Sequence, residues 1–120
     1  MTVPDVWLRG PVPGIDPLLQ PVVHSLRQTM EDVDRVAADL QDSDLWRRPG
    51  RAAPIGFHLK HIAGATDRLL TYARGESLSD GQKARLTAEL HDDPAVTVSM
   101  LVERIRLVIE AGVAQVSDTP

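Results

Sequence analysis

Two histidines three residues apart, His58 and His61, are the side chains of this sequence best suited to chemistry. They lie in residues 46–72, WRRPGRAAPIGFHLKHIAGATDRLLTY, where a Pro-Gly loop leads into a predicted amphipathic helix. Imidazole is a common metal ligand, but a metal ion needs three or four converging donors. The sequence contains no His-x-x-x-His pair, so these two residues provide only part of a metal site.

Helical geometry assigns the four histidines different environments. At 100° per residue, His24 lies roughly 160° from the centre of its helix's apolar stripe, which predicts contact with solvent or a neighbouring chain. His58 lies about 60° and His61 about 120° from the core face of the second helix, so periodicity predicts that His58 is the more buried. His91, in the sequence HDDP, is predicted to cap the C-terminal end of a short helix.

Composition excludes several classes of function. The absence of cysteine rules out disulfides, thiolate metal sites and cysteine nucleophiles. The net charge of −4, with arginines scattered among acidic residues, argues against binding to nucleic acid. No apolar run approaches the roughly 20 residues that span a bilayer, and the N-terminus lacks the pattern of a secretory signal. We therefore predict a cytoplasmic protein that does not associate with membranes.

Hydrophobic periodicity predicts an all-α chain with three long helices and one short one. Residues 1–15, rich in proline and glycine, are predicted to form an extended arm that Trp7 and Leu8 attach to a bundle domain at 16–120. Asp16 and Pro17 have the residue types of an N-cap and a first helical position. The predicted helices span residues 17–41, 54–75, 79–91 and 97–116.

Side-chain patterns also predict which residues face inward. In the short third helix, Ala84, Leu86 and Leu90 are the predicted core residues. Asp67 and Arg68 are assigned to a solvated charged face of the second helix.

Three further residues are assigned to packing. Trp46 is predicted to cover one end of the bundle, and Gly64 and Gly112 to mark places where helices approach closely.

The order of these features resembles the DinB-like (DinB/YfiT) superfamily of four-helix bundles over residues 16–118. The resemblance is carried by the Trp-x-x-Pro loop in DLWRRPG and by PIGFHLKHIAGATDRLLTYARGESLS. It implies an up-down bundle that binds a divalent metal, nickel or zinc, through one histidine of the second helix and a His-x-x-x-His pair of the fourth. The family register places the first ligand on His61, six residues after Ile55, rather than on His58.

The sequence departs from the family pattern at its C-terminal end. The fourth helix and its histidine pair would begin just past Pro120, so this helix is missing or supplied by another chain. The sequence is either a fragment of a longer protein or a naturally short member that completes its bundle with another chain. Three long helices leave an apolar groove uncovered, which predicts a homodimer.

The resemblance implies a function as well as a fold. Its characterised members include transferases and isomerases that use low-molecular-weight thiols such as mycothiol or bacillithiol. This chain is therefore predicted to be a metal-dependent thiol transferase-like protein when complete, with an incomplete active site in these residues alone. The alternative is a non-catalytic helical bundle that acts through homodimerisation or small-ligand binding.

Overall fold

A computed structural model describes residues 3–119, and every regular element in this range is helical. The α-helices are α1 (Gln20–Ala37), α2 (Ile55–Ala73), α3 (Asp80–Ala88) and α4 (Val98–Ser117). The all-α prediction is confirmed for the described range; residues 1, 2 and 120 of the predicted arm and domain lie outside it. None of the described helices combines the length and apolarity needed to cross a membrane.

The helix boundaries follow from the residues that begin each helix. The first predicted helix starts as a 3-10 turn, Pro17–Leu19, in which the Asp16 side chain accepts a hydrogen bond from the Leu18 amide. Pro21 falls in the first turn of α1, where its missing N–H breaks no helical hydrogen bond. α3 begins with a reciprocal capping box between Ser79 and Gln82.

The core is centred on α4, which packs against both α1 and α2. Leu101, Ile105 and Ile109 lie along its buried stripe. A Cβ on Gly112 would approach a methyl group of Leu70 to 3.0 Å, so this glycine marks a close approach of α2 and α4, as predicted.

The remaining faces of α1 and α2 are only partly covered, because these two helices make few direct contacts with each other. Between them lies an open, mainly apolar groove of about 370 Å³, the α1–α2 groove. Its lining includes Val33, Val36, Ile55, His58, Leu59 and Ile62.

Trp46 connects two loops across the fold. Its ring is partly buried against the core, and its indole N–H donates to the carbonyl of Asp93, 3.0 Å away. Trp46 thereby joins the loop before α2 to the loop before α4.

The N-terminal arm differs from its prediction. It forms a 3-10 turn at Val6–Arg9, and Val6 is the residue buried against the bundle. Trp7 and Leu8 are 52% and 70% exposed, so the prediction that they attach the arm is wrong. A hydrogen bond explains the difference: the Val6 amide donates to the Gln28 side chain on α1, and this contact orients the turn so that Val6 faces the bundle.

The predicted interior of α3 is also wrong. Ala84, Leu86 and Leu90 are all exposed, and the buried side chains of this segment are Gln82 and Glu89. These two residues are seven positions apart, so they lie two turns apart on one face of the helix. α3 therefore packs on α2 through a polar face.

Candidate polar site between α2 and α3

A buried carboxylate forms the centre of the contact between α2 and α3. The Glu89 side chain is 6% exposed and accepts two hydrogen bonds from α2. Arg68 donates through Nη1 at 2.6 Å, and the Nδ1 atom of His61 lies 3.1 Å from the other carboxylate oxygen. Both oxygens of this buried acid are thus compensated by hydrogen bonds.

Gly64 provides the space that the carboxylate occupies. His61, Gly64 and Arg68 are spaced by three and four residues, which places them on one face of α2. A Cβ at Gly64 would overlap the Glu89 carboxylate and lie 2.8 Å from Arg68 Nη1. The predicted close approach at Gly64 is therefore present, with a side chain rather than a helix backbone as the neighbour.

A second set of hydrogen bonds extends the same seam. Gln82 donates from its amide to Asp67 at 2.9 Å and to the hydroxyl of Thr71 at 2.7 Å. Lys60 donates to the carbonyls of Ala88 and His91 at 2.9 and 2.7 Å. Lys60 therefore caps the C-terminal end of α3, the role that the sequence analysis assigned to His91.

The charged residues of α2 do not form the solvated face that the sequence pattern predicted. Lys60 and Asp67 bind α3, Arg68 binds its C-cap residue Glu89, and the Arg68 side chain is 11% exposed. The prediction of a solvated charged face at Asp67 and Arg68 is wrong, because α3 packs over these side chains and supplies polar partners.

Opposing effects act on the pKa of Glu89. Burial raises it, whereas the hydrogen bonds from Arg68 and His61 and the charges of those groups lower it. The lowering contributions prevail, so the pKa of Glu89 lies below its ordinary value of 4.5. The ionised form of Glu89 is therefore favoured in the folded protein.

The lowered pKa makes stability depend on pH in a defined direction. A carboxylate with a lower pKa in the folded than in the unfolded state stabilises the fold above the unfolded pKa, and this contribution is lost as the pH falls through the folded pKa. We expect the free energy of unfolding to decrease from about pH 5 downwards, and to decrease less in Glu89→Gln, which has no carboxylate to titrate. Urea unfolding across this range tests the expectation, and parallel pH profiles for the two proteins would contradict it.

The His61 ring is held from two sides. It stacks on Phe57 at a centroid distance of 5.6 Å and an interplanar angle of 7°, while Nδ1 faces Glu89. The two ring nitrogens diverge, so Nε2 is directed away from Glu89. With the side chain 49% exposed, His61 keeps one nitrogen available for a further partner.

The other histidines have different neighbours. His58 is exposed, contacts the edge of Phe57 and lines the α1–α2 groove. His58 and His61 are both exposed, so the prediction that His58 is the more buried is not confirmed; His61 contacts Glu89, whereas His58 faces the groove. His24 is partly buried and lies 3.1 Å from the carbonyl of Gly10, so it contacts the arm of its own chain.

The predicted metal ligand, His61, thus has one acidic neighbour, Glu89. Within residues 3–119, no three His, Cys, Asp or Glu side chains are grouped so as to hold a metal ion. The role of His61 as a ligand stays a prediction.

The apolar pattern of the sequence did not indicate Gln82 of α3 or its C-cap residue Glu89, which together build the site. One signal was present in the sequence: both are polar, and their seven-residue spacing places them on the same side of a short helix. The prediction instead followed the apolar residues of the segment, Ala84, Leu86 and Leu90, and assigned them to the core.

Comparisons of the chain with protein-family models, with curated proteins and with solved structures find no match. The resemblance to the DinB-like superfamily accordingly rests on the sequence motifs of residues 16–118.

Proposed function

We propose that this chain is a DinB-like bundle protein whose complete form is a metal-dependent thiol transferase of the mycothiol or bacillithiol type, acting in the cytoplasm. In this proposal His61 supplies one ligand to a nickel or zinc ion. The observation that carries it is the 3.1 Å contact between His61 Nδ1 and Glu89. A carboxylate on one ring nitrogen is a common environment of a metal-binding histidine, because it fixes the ring and increases the basicity of the other nitrogen.

The surroundings of His61 allow it to supply one ligand to a metal ion whose other ligands come from elsewhere. Glu89 is already engaged by Arg68, so it orients His61 and is not itself a free donor. A catalytic metal site commonly has three protein ligands and one open position, so the other ligands have to come from a second chain or another segment. Homodimerisation is therefore part of the proposal. A metal bound there would lower the pKa of a thiol and hold its thiolate.

Metal titration tests the proposal without an activity assay. If assembly with a second copy completes the site, we expect the purified chain to bind about one equivalent of nickel or zinc, and His61→Ala to bind it at least about tenfold more weakly, because a ligand is lost. His24→Ala is the control, since His24 contacts only the arm in the interactions described above. Isothermal calorimetry and elemental analysis after dialysis provide the two measurements.

Two outcomes of this titration count against the metal function. Equal affinity in the wild type and His61→Ala would show that His61 is not a ligand. A folded wild-type protein that binds neither metal would favour the second function, a non-catalytic bundle.

One observation favours small-ligand binding as the activity of such a bundle. A cavity of about 410 Å³ lies between α1 and α4, with Met30, Ile109 and Val113 among its lining residues. The ion pairs Arg9–Glu31 and Arg106–Asp34 contribute to its lining. Its volume falls within the range of small-molecule pockets, and its largely charged lining would suit a polar or charged ligand.

A further inference from the structure

We infer that two copies of this chain associate through the outer surface of α2 and the adjoining edge of α1. This inference rests on the homodimerisation included in the proposed function, and it names the surface that makes the contact. The surface on α2, called the α2 face below, comprises Ile55, His58, Ile62, Ala65, Leu69 and Tyr72.

The first observation is the absence of charge from the α2 face. The charged residues within α2 are Lys60, Asp67 and Arg68, and all three are engaged by α3 or by its C-cap residue Glu89. Charged residues make up 25% of the chain, so six surface positions would on average include one or two of them, and the α2 face has none. Depletion of charge, together with the presence of tyrosine, is characteristic of the centre of a protein interface.

The second observation is the exposure of large apolar side chains on this surface. Leu69 and Tyr72 are 67% and 55% exposed, and Ile55 is 37% exposed. On the adjoining edge of α1, Val22 and Val36 are 44% and 55% exposed. Several large exposed apolar side chains on neighbouring helix faces mark a site of association.

The spacing of these residues suits packing against further helices. Ile55, Ile62 and Leu69 follow one another at intervals of seven residues along α2. On α1, Val22, Thr29 and Val36 have the same interval. A seven-residue interval keeps a side-chain stripe facing one partner helix, as in coiled coils and four-helix bundles. The α1–α2 groove lies between the two stripes.

Charge favours a second copy as the occupant of this surface. The chain has a net charge of −4, so two copies repel each other least where the surfaces in contact carry no charge. The α2 face avoids this repulsion. Asp32, which lines the groove, is paired with Arg35 of its own chain at 3.0 Å.

The available area is also of the right order for a dimer. α1 and α2 contain 18 and 19 residues, so each is about 27–28 Å long. Side by side they present roughly 500 Å² in projection, somewhat more than half of the about 800 Å² of accessible surface that each partner buries in a standard interface. A two-fold axis across this surface would join α1 and α2 to their copies in one four-helix layer. Because His58 belongs to the α2 face and His61 adjoins it on the same helix, the second copy would lie next to both histidines.

The oligomeric state of the full chain in EDTA tests this inference. We expect the wild type to sediment as a dimer at micromolar concentration. In Leu69→Glu the dissociation constant should rise by roughly 30-fold, because each dimer would bury two introduced carboxylates. Val36→Glu should weaken the dimer in the same direction. Leu107→Glu is the matched control, since Leu107 is 57% exposed on α4, away from this surface, and should leave the dimer unchanged.

Three results would overturn the inference. The first is a wild-type monomer at all concentrations, which would assign the surface to a helix of a different polypeptide. The second is a dimer that Leu107→Glu dissociates and Leu69→Glu leaves intact. The third is a dimer that requires added metal. EDTA removes metal from the dimer test, so the dimer and the metal function are tested separately. A protein that dimerises in EDTA but binds no metal in the titration would refute the metal function and leave the assignment of this surface unchanged.

Discussion

Arg68→Ala is expected to lower the free energy of unfolding by about 3–5 kcal/mol, the range for removing one partner of a buried ion pair. The reason is that the substitution removes the main hydrogen-bond donor and the positive charge that compensate the buried Glu89 carboxylate. This carboxylate is 6% exposed, and without Arg68 only His61 would compensate it. Urea unfolding at neutral pH, followed by circular dichroism, measures the change.

A control for this experiment comes from an ion pair of the same length on the surface. Arg48 and Asp92 are also 2.6 Å apart, but their side chains are 52% and 42% exposed. Arg48→Ala should therefore change stability by about 0–1 kcal/mol, because water replaces the lost partner. Similar losses in Arg68→Ala and Arg48→Ala would show that Glu89 is hydrated in solution and would contradict the buried seam.

Gly64→Ala is expected to destabilise the protein by about 2 kcal/mol, although alanine is intrinsically the better helix former by about 1 kcal/mol. The added methyl group would occupy the position of the Glu89 carboxylate and lie 2.8 Å from Arg68 Nη1. Both side chains are flexible at their ends, but moving them breaks hydrogen bonds in a buried place. Thermal and urea unfolding give the size of the effect.

Gly81→Ala makes the same chemical change at a position with room for it. A Cβ there would meet its nearest neighbour, Arg85 Nη1, at 3.5 Å, an ordinary contact. This variant should be as stable as the wild type or up to about 1 kcal/mol more stable, since only helix propensity acts. The two substitutions are therefore expected to have opposite signs, and a stabilising Gly64→Ala would contradict the close contact with Glu89.

Gly64 also connects stability with the proposed function. If the methyl group displaces Glu89, the His61 ring loses the partner of its Nδ1 atom. The structural substitution should then weaken metal binding as well, although it leaves the imidazole in place.

The long helices were predictable because their signals are local. α2 was predicted at 54–75 and is observed at Ile55–Ala73, and α4 was predicted at 97–116 and is observed at Val98–Ser117. Proline and glycine at the ends, and an apolar residue every three or four positions, depend on the chain within one or two helical turns. The same reasoning identified Gly112 as a point of close packing.

The site itself was not predictable from these signals. Which side of α3 is buried depends on what α2 presents to it, and α2 presents Lys60, Asp67 and Arg68. A hydrophobicity pattern assigns the apolar side of a short helix to the core, and here the polar side is buried because its hydrogen-bond partners lie on the other helix.

The sequence by itself thus determined the helical class, the approximate extents of the long helices and the presence of histidines on α2. Only the tertiary structure decided that Glu89 lies against His61 and Arg68, and that the charges of α2 turn to α3 and leave its other side uncharged. The physical reason is the separation along the chain of the residues that interact. Helix formation is governed by neighbours within a few residues, whereas the pairing of Glu89 with His61 spans 28 positions and exists only once α3 has packed on α2.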